Sequence, residues 1–544
     1  MSPMVQALLL LLGCTPKAAE PPAETESTIA DSDTPAPEET GHRPDTDAAG
    51  AYTLSEAGLP ATAPGVVLLA TLIGAEASVT GFVSAPVSVD LDAPETRYPF
   101  RYRVLDEAGQ ELYIRSAPGP VQVQEYLGYY TELSGFDLLL LYPELGNFAL
   151  IAPLIDGAER LVMEVRDASG GWAEAGSWDY TALEGEGEAP GEAVVGWETL
   201  WESGPPEGRL DIALVGDGYT EADQERWRQD AAAAAEALMG ASPLSEYAGR
   251  INIHRVDAVS AESGVSFDCV GECRFRDTAF GSVFPVMLAN WLLGTDYRAA
   301  AVFQQDQWAV ARAVSVVPWD QVVVVANTQT YGGFALHYAT VTNGYPDWEQ
   351  TAVHEYGHLL GLLGDEYVSD FCIVSEALGL PENITDDPES PPWAHWIAPE
   401  TPLPTPEGWG EVGAYQGAFN CDDLYRPAET CRMRGDDHAG FCAVCGELLV
   451  RQLFRFTDPL EAVAVEAVDG GWRFAPEGSL EASVAWTLDG EALAVTGPGE
   501  ALTVLPADHG AGDHLLEATA THGSPWVIEG GDLEQRQSWL LEAP

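Results

Sequence analysis

The apolar positions change period twice along the chain. From residue 61 to 195, short apolar or alternating runs recur between turn residues. Examples are Gly65 to Leu69, Tyr98 to Val104 and Leu138 to Tyr142. Period-two runs at that spacing predict an N-terminal β-sandwich-like domain. Residues 182–193 are Glu-, Gly- and Ala-rich and read as a linker. The pattern then alternates between strands and helices. Arg209 to Val215 predicts a strand. Thr220 and Asp223 have capping-box spacing for a helix running through Met239. Ile251 to Val256 predicts a second strand. The fully apolar Gln321 to Ala326 predicts a third, central one. Residues 335–342 form a further strand. A helix begins near Trp348, and another covers Phe441 to Phe454. Strands alternating with long helices indicate an α/β or α+β domain over 196–457. From 458 to 544 helical periodicity disappears, and short runs between Asp-Gly and Pro-Gly turns fit an immunoglobulin-like β-sandwich.

Before residue 61 the character differs. Leu8 to Leu12, Gly13 and Cys14 make an apolar segment too short to span a bilayer. Leu11-Leu12-Gly13-Cys14 resembles the bacterial lipobox, which would make residues 1–14 a lipoprotein-type signal segment with Cys14 lipidated. The other reading is an ordinary secretory signal. Both place the mature chain outside the cytoplasm, either lipid-anchored at a cell surface or outer membrane, or secreted. Residues 15–60 are Pro-, Thr- and acid-rich with almost no large apolar side chain, so a disordered tether is expected there.

Acids outnumber bases by 86 to 24, for a formal charge of −62 over 544 residues, and Lys17 is the sole lysine. This excludes a nucleic-acid binder working through a basic face, and it excludes charge-driven attachment to anionic lipid. Contact with a membrane is therefore expected only through the lipid. The excess is spread over every segment, which suits a solvated body and leaves structural Ca2+ open, although no EF-hand loop is present. Cys269, Cys273, Cys372, Cys421, Cys431, Cys442 and Cys445 follow Cys14. In an exported chain they read as disulfides, with at least one left over. Cys269 and Cys273 could close a small loop. Cys442-Ala-Val-Cys445 resembles half of a zinc knuckle, but no second CxxC accompanies it.

The stretch from Thr351 to Tyr367 carries the chemistry. His354 and His358 are four apart, so on a helix they share one face and can share a zinc ion. Glu355 is placed to take a proton from a zinc-bound water. Gly361 and Gly364 would end the helix and let Asp365 and Glu366 turn back.

His-Glu-Tyr-Gly-His, six residues, then Asp-Glu-Tyr is similar to the signature of the bacterial IgA-peptidase family of zinc metallopeptidases (HExxHxxxxxxDE). Gly216 to Thr220 resembles that family's first strand-to-helix turn, and Tyr331-Gly332-Gly333 its cleft edge. Gly413 to Tyr415, Tyr425 to Pro427, Cys431 to Arg434 and Phe441 to Cys445 resemble its downstream block. The resemblance implies a metzincin-like zinc peptidase domain and a single-step hydrolysis with Glu355 as general base. It implies Asp365 as third metal ligand, with Glu366 the alternative, and Met433 packed in a turn beneath the metal. Tyr331, Gly332 and Gly333 become candidate substrate contacts, with 335–342 as the edge strand of the cleft. Tyr415 is either a donor to the transition state or a packed loop tyrosine. Arg434 is either a partner for an acid near the site or a surface residue. His337 reads as strand decoration, while His395 and His438 carry no assignment.

A multidomain zinc endopeptidase acting on protein or peptide substrates, and a monomer, is therefore expected. Two other readings stand beside it. One is a surface adhesin or glycan-binding protein with a degenerate peptidase domain. The other is a zinc-dependent peptidoglycan amidohydrolase.

Overall fold

The computed structural model describes residues 52–543 apart from 57–61, 92–97, 118–145, 167–169, 185–186, 190, 192, 270–272, 286–300, 336, 369–371, 373–378, 436–438, 461, 479–481, 495–499 and 529–532. A six-stranded mixed sheet organises the region that carries the histidines. Its strands are β1 (Val194–Trp201), β2 (Leu210–Asp217), β3 (Ile251–Ala258), β4 (Gln321–Ala326), β5 (Gly333–Ala335) and β6 (Ala339–Thr342), in the order β5-β6-β4-β2-β3-β1. β6, β4, β2 and β3 run parallel; β1 and β5 pair antiparallel at the two edges.

Interior strands buried on both faces read as unbroken apolar runs, and β2 shows why. Leu210, Ile212 and Leu214 face one layer, Ala213 and Val215 the other. The first layer holds helices α1 (Gln224–Gly240), α3 (Trp348–Gly361) and α4 (Ala443–Leu453). The second holds α2 (Gln307–Val314). The capping box of Thr220 and Asp223 forms at the entry to α1, where a short 3-10 turn precedes the helix.

The strand expected over 335–342 is two strands. β5 and β6 form a hairpin, so the sheet edge is Gly333–Ala335, and His337 lies in the connection. The apolar side chains at Tyr338 and Ala339 are buried in different layers, which is what made the run look continuous.

Residues 62–179 supply a three-stranded sheet and a four-stranded sheet that share one apolar core, including Phe100 and Phe148. The strand Thr62–Ile73 buries both faces. Val66, Leu68, Ala70 and Leu72 enter that core; Val67 and Leu69 pack on the α2 layer instead. Trp308 of α2 donates from Nε1 to Ala70 O at 3.1 Å.

Residues 462–542 supply a three-stranded sheet and four strands of a five-stranded one around Phe474, Trp486 and Trp539. The outer strand of the larger sheet is Thr53–Glu56, paired antiparallel with Glu534–Glu542. These four residues fall within the span expected as tether; backbone pairing orders them, and Leu54 packs against the core of these sheets. Disulfides join Cys269 to Cys273 and Cys372 to Cys421; Cys431, Cys442 and Cys445 are free thiols. Among the described residues, no helix is long and apolar enough to cross a membrane.

Candidate active site

α3 ends at Gly361, with Leu362 in the left-handed conformation at φ 54°. The chain then doubles back, and Asn383 holds it there. The Asn383 side chain accepts from Gly364 N at 2.8 Å and donates to Gly364 O at 2.9 Å. A Cβ at Gly364 would meet Ile384 and Pro381 at 2.9 Å, so this return needs a glycine.

The return brings Asp365 to the histidines. His354 Nδ1 lies 3.0 Å from Arg432 O, and His358 Nδ1 2.6 Å from Leu363 O. A carbonyl only accepts, so both Nδ1 atoms carry the hydrogen and both Nε2 atoms present lone pairs. Those Nε2 atoms are 3.1 Å apart. Asp365 Oδ1 lies 3.1 Å from Nε2 of His354 and 3.3 Å from that of His358. Three lone-pair donors at such separations repel unless a cation or proton lies among them. Oriented by carbonyls behind each ring, the set fits a divalent metal.

The local charges favour a cation as well. Burial lowers the His358 imidazole, but the Asp365 carboxylate and Glu355 outweigh it and raise it to about 9. Burial pushes Asp365 up, but His358 and His354 hold it well below the usual carboxylate range.

Glu355 is buried beside them. Burial raises its carboxyl, and the two histidines oppose the shift. The side chain reaches the sheet edge: a Cβ on Gly333 would fall 2.2 Å from Glu355 Oε1. Gly332 O accepts from Thr342 N at 3.0 Å, which pins the start of β5. Tyr331 is 56 % exposed and packs against Tyr345 with ring centroids 4.8 Å apart.

Met433 is fully buried. A Cβ at Gly357 would sit 2.9 Å from Met433 Sδ and 2.8 Å from the Phe441 ring, so both pack directly against the residue preceding His358. The same 3-10 turn, Arg432–Arg434, supplies the carbonyl that orients His354.

Several other residues considered for the site lie elsewhere. Glu366 does not join the histidines; its carboxylate is buried among Cys431, Cys442 and Cys445. Tyr415 donates to Glu411 O at 2.6 Å, and its ring lies near Arg426. Arg434 donates to Glu429 O. His395 meets Glu447 at 2.7 Å. His337 stacks on Phe148 with centroids 5.8 Å apart. His438 and Cys14 lie outside the described residues.

Tyr367 was not singled out by the sequence, although it closes the Asp-Glu-Tyr triplet. Its side chain is 36 % exposed, and partial burial together with the neighbouring Asp365 and Glu355 carboxylates raises its pKa. Asn383 was also missed, and nothing in its local sequence signals it.

Residues 199–409 match the family model described as IgA Peptidase M64. This span contains the sheet from Thr199 of β1 onward, with α1, α2, α3, both histidines and Asp365; the start of β1, the Arg432–Arg434 turn and α4 lie beyond it. No curated protein matches the chain.

Proposed function

With residues 199–409 belonging to the IgA-peptidase family, we propose that this peptidase is a zinc-dependent endopeptidase outside the cytoplasm. The observation that carries the reading is the convergence of the His354 and His358 Nε2 atoms on Asp365 Oδ1, with Glu355 beside them. His354, His358 and Asp365 would hold the ion. When bound, zinc supplies a Lewis acid that acidifies water and polarises the scissile carbonyl.

The remaining steps belong to the chain. Glu355 accepts the proton of the attacking water and returns it to the leaving amine. Its burial, which raises its basicity, suits that exchange. The exposed edge β5 offers backbone groups along which an extended peptide can add as a further strand. Gly333 leaves the space in which that peptide and Glu355 meet. The Arg432 and Leu363 carbonyls orient the two histidines, and Tyr367 stands beside Asp365.

The substrate class is protein or peptide. The immunoglobulin in the family's name is not carried to this chain, because no described feature of the cleft selects it. The test uses the full chain, with casein hydrolysis and metal content measured with and without chelator. Wild type should be active and lose activity to the chelator, while Glu355→Gln should retain its metal and be inactive. Equal activity in the variant would overturn the mechanism, and release of muropeptides without casein hydrolysis would move the substrate to peptidoglycan.

Anchorage through Cys14 is supported by the Leu-Leu-Gly-Cys sequence. It predicts fatty-acid labelling that Cys14→Ala abolishes. The monomeric state is checked by light scattering.

A further inference from the structure

Asp365 and Glu366 are adjacent, yet their carboxylates enter two different clusters. Asp365 joins His354 and His358. Glu366 joins Cys431, Cys442 and Cys445, and the four ligand atoms of that second group all lie within 4.8 Å of one another. Cys445 Sγ is 3.0 Å and Cys442 Sγ 4.0 Å from Glu366 Oε1. Cys431 Sγ accepts from Cys442 N at 3.3 Å. Glu366, Cys431 and Cys445 are each 0 % exposed.

We propose that Glu366, Cys431, Cys442 and Cys445 form a second metal site, a structural one that takes zinc through three thiolates and one carboxylate. Three lines of chemistry carry it.

The first is donor geometry. A tetrahedral zinc with sulfur ligands about 2.3 Å away holds those sulfurs roughly 3.8 Å apart, and the cluster has that scale. Cys442 caps α4 and Cys445 lies in its first turn, so the helix N-terminus favours their thiolates.

The second is an unmet valence. Glu366 Oε2 is buried with no hydrogen-bond partner, while Oε1 takes Cys445 and Asn383. A sealed carboxylate with a bare oxygen is costly unless a cation meets it.

The third is parity. Among the described cysteines, four are paired in disulfides, and these three are not bonded to one another. Any disulfide among them would strand the third thiol and leave Glu366 uncompensated.

The ion would staple together three pieces that shape the peptidase site. These are the return segment carrying Asp365, the 3-10 turn whose Arg432 carbonyl orients His354, and the start of α4. The backbone already joins two of them, since Glu366 N donates to Met433 O at 2.7 Å. Binding releases the thiol protons to solvent and involves no redox change.

Cobalt substitution tests this without reference to activity. The His354, His358 and Asp365 set contains no sulfur, so a thiolate-to-cobalt charge-transfer band in the near ultraviolet can come only from the second cluster. Full chain reconstituted with Co2+ should bind two ions and show that band. His358→Ala should lose one ion and keep the band, whereas Cys445→Ser should lose it. If Cys445→Ser fails to fold, the wild-type and His358→Ala spectra still decide. One ion per wild-type chain without the band, or a disulfide between any two of the three cysteines in the native protein, overturns the proposal. Loss of peptidase activity alone leaves the band intact, so failure of the peptidase reading and failure of this one are distinguishable.

Discussion

Gly333 and Glu355 share one volume: a single Cβ on the glycine would lie 2.2 Å from Oε1 and 2.8 Å from Cδ of the glutamate. The sheet edge therefore has to be bare at this point for the carboxylate to hold its place. Gly333→Ala should displace Glu355 while leaving the fold intact, because the site is at an edge. A displacement on the scale of 1 Å costs about 100-fold in rate. Steady-state kinetics should show kcat falling by roughly that factor with circular dichroism and metal content unchanged. Full activity in Gly333→Ala would show that Glu355 is not held where it acts.

Tyr367 predicts a different signature. Partial burial and the Asp365 carboxylate beside it raise the pKa of its hydroxyl. Removing a group that orients a metal ligand typically costs 10–100-fold in metal affinity or activity. Tyr367→Phe should release metal to a competing chelator about 10–100 times more readily and recover most of its activity in excess zinc. A kcat defect that excess metal does not correct would assign the hydroxyl to the reacting substrate instead.

Which parts of this arrangement could be read from the sequence follows from the range of the forces involved. The helix carrying His354 and His358 was legible because a four-residue spacing places two side chains on one face whatever the surroundings. β4 was legible because burial on both faces leaves an unbroken apolar run. Asp365 and Glu366 could not be separated, since one residue of backbone rotation decides which carboxylate faces the histidines. That rotation is fixed by Asn383, which lies 19 residues away from Gly364. The β5–β6 hairpin was hidden for a similar reason. His337 looks like a strand residue, but its ring packs on Phe148 from the N-terminal sheets, a contact no local pattern records. The cysteine cluster needed Glu366 to complete it, and a CxxC pair in the sequence carries no trace of a distant carboxylate.

His337 gives the pH prediction. Burial alone lowers its pKa from 6.5 to about 4, and its Nε2 is sealed without a partner. The unfolded chain binds a proton at this residue below about pH 6.5, while the folded chain resists it down to about pH 4. Its contribution is therefore fully present above pH 6.5 and is lost as pH falls from there towards 4. The full penalty is on the order of 3–4 kcal/mol. His337→Phe, which keeps an aromatic ring against Phe148, should flatten this acid limb in denaturant titrations at pH 7 and pH 4.5. Identical pH dependence in the variant and the wild type would exclude His337 as its source.

The C-terminal sheets are expected to be required for a stable peptidase region. Val527 and Leu533 belong to the apolar cluster that contains α1, α3 and α4. Trp526 donates from Nε1 to Glu246 Oε2 at 2.6 Å, and its ring fills the space where Gly446 of α4 would carry a Cβ, 2.3 Å away. Arg250 donates to Asp458 O and Pro459 O, tying the junction from the other side. Each buried aliphatic side chain contributes about 1.5–3 kcal/mol, so ending the chain at 457 removes an amount comparable with a large part of a domain's net stability. The truncated chain should melt well below the full chain and expose apolar surface to a hydrophobic dye. Trp526→Ala in the full chain should lower the melting temperature by a smaller amount, with kcat unaffected at temperatures where it stays folded. A truncated chain that melts at the full-length temperature would show that these contacts contribute nothing to the peptidase fold.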